Sequence, residues 1–120
     1  MRVLIADDQR GVATSVADLV THCQHEVVGI VGSGLEAIQA FDQTKPDVIL
    51  MDYFMAKLNG ATACRNILAK DPSARIILIS AWKPDYDLAA ESGAIALLPK
   101  PLDLEQLRDA LADAARMLRF

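Results

Sequence analysis

Short apolar runs alternate along the chain with longer segments in which apolar residues recur every three or four positions, as strands and amphipathic helices do when they follow one another. Five runs read as strands: Val3–Ala6, Glu26–Val31, Val48–Met51, Ile76–Ile79 and Ile95–Leu98. Most are apolar throughout, as strands covered by helices on both faces are, and they read as central strands of a parallel sheet. The first helical segment, from about Gln9 to His22, sets Val12, Val16, Leu19, Val20 and Cys23 on one face. A second, Gly34 to Gln43, offers Leu35, Ile38 and Phe41; a third, Gly60 to Ala69, offers Ala63, Ile67 and Leu68 before Asp71-Pro72 ends it. The fourth, Asp85 to Ser92, has only Leu88 and Ala89 to bury and closes at Gly93, so it is expected to be the least firmly packed. The last opens at Asp103 as N-cap, with Gln106 in the capping-box position and Leu104, Leu107, Leu111, Ala115 and Leu118 along one side. Right-handed crossovers between five such pairs give a doubly wound α/β fold, a five-stranded parallel sheet with five helices.

Composition narrows the function. At 120 residues the chain has room for one domain, taken as 1–120 with no output domain, and 52% hydrophobic against 23% charged residues is ordinary globular usage. The longest apolar run, Ala94 to Leu98, is far short of the roughly 20 residues that span a bilayer, so no membrane association is expected and a cytoplasmic location is. Twelve basic and sixteen acidic residues leave a net charge of −4, the wrong sign for gaining affinity by neutralising phosphates, so nucleic acid is not an expected partner. Cys23 and Cys64 are too few for a disulfide framework, and His22-Cys23-x-His25 lacks a fourth zinc ligand, so packing or surface roles are expected there.

Ligands of doubly wound sheets bind beyond the carboxyl ends of the strands. Those ends carry Asp7-Asp8, Gly32-Ser33, Asp52, Ser80 and Lys100: three carboxylates, a hydroxyl and an ammonium on one rim. Asp8 by itself would read as a helix N-cap, but in this company it reads as chemistry. Three neighbouring carboxylates raise one another's pKa unless a cation lies between them, and Mg²⁺, which takes oxygen ligands and is commonly held by one or two carboxylates and a phosphate oxygen, suits Asp7, Asp8 and Asp52. Lys100 and Ser80 would hold the oxygens of a phosphoryl group, and Asp52, in the middle, is the natural nucleophile for it.

In order along the chain stand the acidic pair Asp7-Asp8, Asp52, Met55 and Gly60, Ser80, Gly93-Ala94 and Lys100-Pro101. In these motifs, over essentially its whole length, the chain resembles the receiver domains of two-component response regulators, of the single-domain chemotaxis-regulator type. The resemblance implies the flavodoxin-like strand order 2-1-3-4-5 and a phosphoryl-accepting switch. Asp52 would take phosphoryl from a histidine kinase or histidine phosphotransfer protein; Asp8 would bind Mg²⁺, Asp7 would orient a metal-bound water, and Phe54 would offer its backbone carbonyl to the metal. Ser80 and Lys100 would engage the phosphoryl oxygens, with a cis Lys100-Pro101 bond. Implied partners are that donor and a downstream protein target, with the chain a monomer or a phosphorylation-dependent dimer. By this reading it is not an enzyme, and assists only its own phosphorylation and dephosphorylation.

Three positions depart from the family pattern: Ala56 where proline is usual, Leu97 where an aromatic switch residue is usual, and Trp82, large for the rim, as a lid over the site with Phe54 or an anchor for a partner. Leu97 has no hydroxyl to pair, which puts the usual coupling to the face of the fourth helix, fifth strand and fifth helix in doubt, and it also reads simply as core. A haloacid dehalogenase-type phosphatase would want a second acid where Phe54 stands. A flavodoxin-type cofactor carrier would want a hydroxyl- and glycine-rich loop where Ala6-Asp7-Asp8-Gln9 stands. The remaining alternative is a non-phosphorylated pseudo-receiver acting as a constitutive interaction module.

Overall fold

The computed structural model describes residues 1–55, 58–81 and 86–117. Its elements alternate strictly: β1 (Arg2–Ala6), α1 (Arg10–His22), β2 (Glu26–Val31), α2 (Gly34–Thr44), β3 (Val48–Asp52), α3 (Gly60–Lys70), β4 (Ile76–Ser80), α4 (Tyr86–Glu91), β5 (Ala96–Pro99) and α5 (Leu104–Met117). All ladders are parallel and the sheet order is β2-β1-β3-β4-β5. This is the doubly wound, flavodoxin-like architecture expected.

Not all five strands are central. β3 and β4 are buried at every residue, whereas β2 and β5 form the edges and are mostly half-exposed. Each fully buried Leu or Ile contributes about 1.5–3 kcal/mol, so Ile49, Leu50, Ile76, Ile77 and Leu78 anchor the sheet at its middle. β3 and β4 also run one residue past their apolar stretches, to Asp52 and Ser80, because the ladder pairs Asp52 with Ile79 and Ser80 with Pro99.

Helices cover both faces. Val3, Ile5, Leu50, Ile77 and Ile79 pack with Val16 and Val20 of α1 and Leu107, Leu111 and Ala114 of α5. Leu4, Met51, Ile76 and Leu78 pack with Ala37 and Ala40 of α2, Ala63, Cys64 and Ile67 of α3 and Ala89 of α4. In α2 the expected stripe is corrected: Leu35 is 60% exposed, Ile38 and Phe41 are half-buried, and the small residues Gly34, Ala37 and Ala40 make the buried face. Gly34 packs so closely that a Cβ there would stand 3.0 Å from the Leu58 carbonyl oxygen. In α5, Leu104 and Ala115 are likewise only half-buried, and Ala110, Leu111 and Ala114 take the inner face with Leu107.

Side chains close several helix N-termini. Ser33 accepts from the Glu36 N–H, Asn59 from the Thr62 N–H at 2.8 Å, and Asp103 from the Glu105 N–H at 2.8 Å. The N-cap of α1 is Gln9, without a side-chain cap, and Asp8 lies outside the helix. Gly93 takes φ +88° after α4, a left-handed conformation that favours glycine. The fourth helix is described from Tyr86 and ends at Glu91, one residue before the expected end at Ser92. Ala56, Trp82, Asp85 and Leu118, singled out in the sequence, lie outside the described residues. Among the described residues no helix is long and apolar enough to cross a membrane.

Candidate active site at the strand ends

Backbone pairing at the strand ends fixes Asp7, Asp52, Ser80 and Lys100. The Asp7 N–H donates to the Val31 carbonyl at 2.9 Å, continuing β1 against β2, and the Gln9 N–H turns back to Asp7 Oδ1 at 2.9 Å. Asp52 closes β3; the Tyr53 N–H then donates to the Ile79 carbonyl at 2.7 Å, and the Gly60 N–H to the Tyr53 carbonyl at 2.7 Å. A Cβ at Gly60 would stand 3.0 Å from Asp52 C and Tyr53 Cα and closer still to the Asp52 carbonyl oxygen, so only glycine lets α3 start against the end of β3. The Lys100 N–H donates to the Ser80 carbonyl at 2.9 Å, and the Lys100-Pro101 bond is cis.

The expected residues converge. Asp7, Asp8 and Asp52 each offer a carboxylate oxygen within 4.8 Å of the others, and among the described residues this is the one group of three or more His, Cys, Asp or Glu side chains able to share a metal ion. Asp7 and Asp52 are buried, Asp52 at 6% exposure, while Asp8 opens to solvent. Lys100 Nζ lies 2.8 Å from Asp7 Oδ2 and 3.3 Å from Asp52 Oδ2. Asp8, Gln9, Asp52, Phe54, Ala81 and Lys100 line a cavity of about 350 Å³ beside the acids. Ser80 is buried at the end of β4, next to Ala81.

Electrostatics follow from that crowding. Burial pushes the Asp52 carboxyl above the ordinary carboxylate value, and neighbouring Asp7 adds to the rise; Lys100 and a hydrogen bond from the Phe54 N–H oppose it. Burial alone would lower the Lys100 pKa, but its hydrogen bond to Asp7 and the charges of Asp52 and Asp7 carry it above the ordinary lysine value. Three carboxylates against one ammonium leave the rim anionic, and their hard oxygen donors, one of them solvent-facing, fit a small divalent cation.

Of the residues expected at the rim, Asp7, Asp8, Asp52 and Lys100 are brought together, Phe54 lines the cavity and Ser80 ends the neighbouring strand; three further neighbours were not expected. Gln9 holds Asp7 through its backbone and lines the cavity, Ala81 forms part of its wall, and the buried Tyr53 packs edge-on against the Phe54 ring, with centroids 4.7 Å apart. Adjacency to Asp8, Ser80 and Asp52 was their only signal. Among the described residues the His22-Cys23-x-His25 segment joins no group able to share a metal ion; His25 Nδ1 lies 2.8 Å from the Met1 amine. Leu97 is half-buried against the core beneath α2, α3 and α4.

The family model described as the response regulator receiver domain matches residues 3–112. The chain belongs to that family. The chemotaxis protein CheY of Listeria monocytogenes is 34% identical over 118 residues, covering 97% of this chain and 99% of that protein; CheY of Thermotoga maritima is 34% identical over 112 residues, covering 92% and 93%. A receiver domain protein from Clostridium thermocellum superposes with TM-score 0.90 at 26% identity, covering 98% and 96% of the two chains. The CheX-CheY-BeF3-Mg+2 complex from Borrelia burgdorferi contains a chain superposing with TM-score 0.88 at 25% identity, covering 96% and 89%. This receiver is therefore a phosphoryl-accepting switch of two-component signalling, a regulator rather than a metabolic catalyst, and the constitutive pseudo-receiver reading is not favoured. Receivers take phosphoryl from histidine kinases or phosphotransfer proteins and bind Mg²⁺ at an acidic pocket, and the acid cluster here is compatible with such a metal site.

Proposed function

We propose that Asp52 is the phosphoryl acceptor, that Asp7, Asp8, Asp52 and the Phe54 carbonyl hold the Mg²⁺ ion, and that Lys100 and Ser80 bind the phosphoryl oxygens. The observation that carries this reading is Lys100 Nζ set between Asp7 and Asp52, with Asp8 in the same cluster. Bound Mg²⁺ would neutralise charge on the phosphoryl oxygens, which lets an anionic group approach the acids. An Asp52 carboxylate oxygen forms the bond to phosphorus as the phosphorus–nitrogen bond of a phosphohistidine breaks, and the imidazole leaves. Lys100, already in ion-pair reach of Asp52, holds the product charge, while Ser80 supplies a hydroxyl donor from the end of β4. The same groups would assist hydrolysis of the phosphoryl-aspartate. The output is binding of a downstream protein in the cytoplasm, by a monomer or by a dimer formed on phosphorylation.

The test is labelling with ³²P-acetyl phosphate in Mg²⁺. Wild type is expected to gain acid-labile label and Asp52→Asn none; label of wild-type stoichiometry on Asp52→Asn overturns the assignment.

A further inference from the structure

Gln9, Ala81 and Lys100, which line the acid cavity, also line a second space, a groove of about 700 Å³ that follows α1 beside Pro101 and Leu102. The two spaces adjoin at those shared residues, but their chemistry differs. Val12 and Leu19 of α1 and Leu102 stand half-buried in the groove wall, packed on the core beneath α1 and α5. Beyond the shared residues, Ser15 is the only described lining residue with a polar side-chain atom, and its hydroxyl already donates to the Gly11 carbonyl at 3.1 Å. From the Gln9 N-cap to Leu19 the helix rises about 15 Å. A molecule reaching from Asp52 past Lys100 along α1 therefore meets several ångströms of apolar surface and, among the described residues, no charge.

Resting on the assignment of Asp52 as acceptor, we propose that this groove binds the apolar chain of a small phosphoryl donor, so that the protein takes phosphoryl preferentially from acyl phosphates with a tail of several carbons. The phosphoryl end lies at Asp52 and Lys100, the acyl carbonyl passes Gln9 and Ala81, and the tail leaves water between Val12 and Leu102. In the transfer an Asp52 carboxylate oxygen bonds to phosphorus as the bond from phosphorus to the acyl oxygen breaks; the electron pair leaves on the fatty carboxylate, and no proton or oxidant is needed. The remote tail makes no contact with the reacting atoms and contributes by holding the donor in place.

The test compares initial rates of acid-labile labelling by ³²P-acetyl phosphate and ³²P-hexanoyl phosphate in Mg²⁺, at equal donor concentrations well below saturation. Acetate and hexanoate are leaving groups of nearly equal basicity, so a difference in rate reports the tail and not the chemistry at phosphorus. A methylene fully removed from water is worth about fourfold in affinity, and in a groove open on one side the longer donor is expected to label wild type about tenfold faster. Val12→Thr and Leu102→Gln place polar atoms in the groove and should each cut that ratio to about threefold or less; the ratio cancels any change in reactivity common to both donors. Melting temperatures identify a variant that fails to fold, and the other then decides. Equal rates for the two donors on wild type overturn the proposal and leave the groove to the apolar side chains of a protein donor, and a preference that persists undiminished in the folded variants overturns the placement of the tail. In both cases loss of label in Asp52→Asn still upholds the acceptor, whereas absence of label on wild type from either donor overturns both.

Discussion

Replacing Gly60 by alanine tests how tightly the start of α3 is tied to the acceptor. The added Cβ would meet Asp52 C and Tyr53 Cα at 3.0 Å, and the Asp52 carbonyl oxygen closer still, where an ordinary carbon contact is about 3.5–4.0 Å. These are backbone atoms with little freedom to retreat, because Tyr53 is bonded to Ile79 and Gly60 to Tyr53, each at 2.7 Å. Overpacking of this kind costs about 1–3 kcal/mol, and the immovable neighbours put Gly60→Ala in the upper half of that range. Helix propensity returns at most about 1 kcal/mol, and less at a first helical residue. The net loss is about 2 kcal/mol, which for a chain of this size lowers Tm by about 6–10 °C. Since the crowded atoms include the Asp52 backbone, the carboxyl must also move relative to Asp7 and Lys100, so labelling by acetyl phosphate should slow. Gly11→Ala is the control: nothing lies within 4 Å of its Cβ in α1, and it should gain about 0.5–1 kcal/mol. Calorimetry of both variants with labelling rates decides the matter. A Gly60→Ala protein that melts within about 2 °C of wild type and labels at its rate would refute the close-packing argument.

Two further perturbations probe the charges. Asp52→Asn removes a carboxyl whose ionisation burial disfavours, so without divalent cation it should melt above wild type at neutral pH. A carboxyl with a raised folded-state pKa stabilises the fold at low pH and loses that contribution as pH rises through the folded value, so the gap should close as pH falls towards the ordinary value of 3.8; a gap that widens on acidification refutes this. Added Mg²⁺ should raise the wild-type Tm and leave the variant's nearly fixed. Lys100→Met leaves buried Asp7 and Asp52 facing each other without their shared cation, and should cost about 3–5 kcal/mol in chelator, partly recovered on adding Mg²⁺; calorimetry at both conditions checks it.

Much of this was readable from residue order because a parallel sheet sends every strand's carboxyl end to one rim, so Asp7, Asp8, Asp52, Ser80 and Lys100 could be grouped without knowing any side-chain position. What could not be read depends on tertiary contact. Leu35 matched a helical stripe, yet Gly34, Ala37 and Ala40 face the core because α2 packs against Leu58 and Ala63 too closely for a large side chain. The apolar run of β2 resembles that of a central strand, and only its place at the sheet edge leaves Ile30 exposed. Strand ends at Asp52 and Ser80 were misplaced by one residue because backbone pairing, not hydropathy, decides where a ladder stops. Gly60 stood out as part of a motif, but its contact with the Asp52 backbone could be found only in three dimensions.

The order of the strands has one more consequence. Ala6 is registered beside Met51, so the residues that follow them, Asp7 and Asp52, leave the sheet side by side, one interstrand distance of about 4.8 Å apart. Had the chain laid its strands down in sequence, β2 would stand between them and the two carboxylates would start about 9.5 Å apart, more than twice the roughly 4.2 Å between opposite ligands of a magnesium ion. The crossover that skips a neighbour therefore creates the site, and α1 and α2 need only be long enough to bring the chain back. Their outer surfaces are free to diverge for new partners while the chemistry at the rim stays the same.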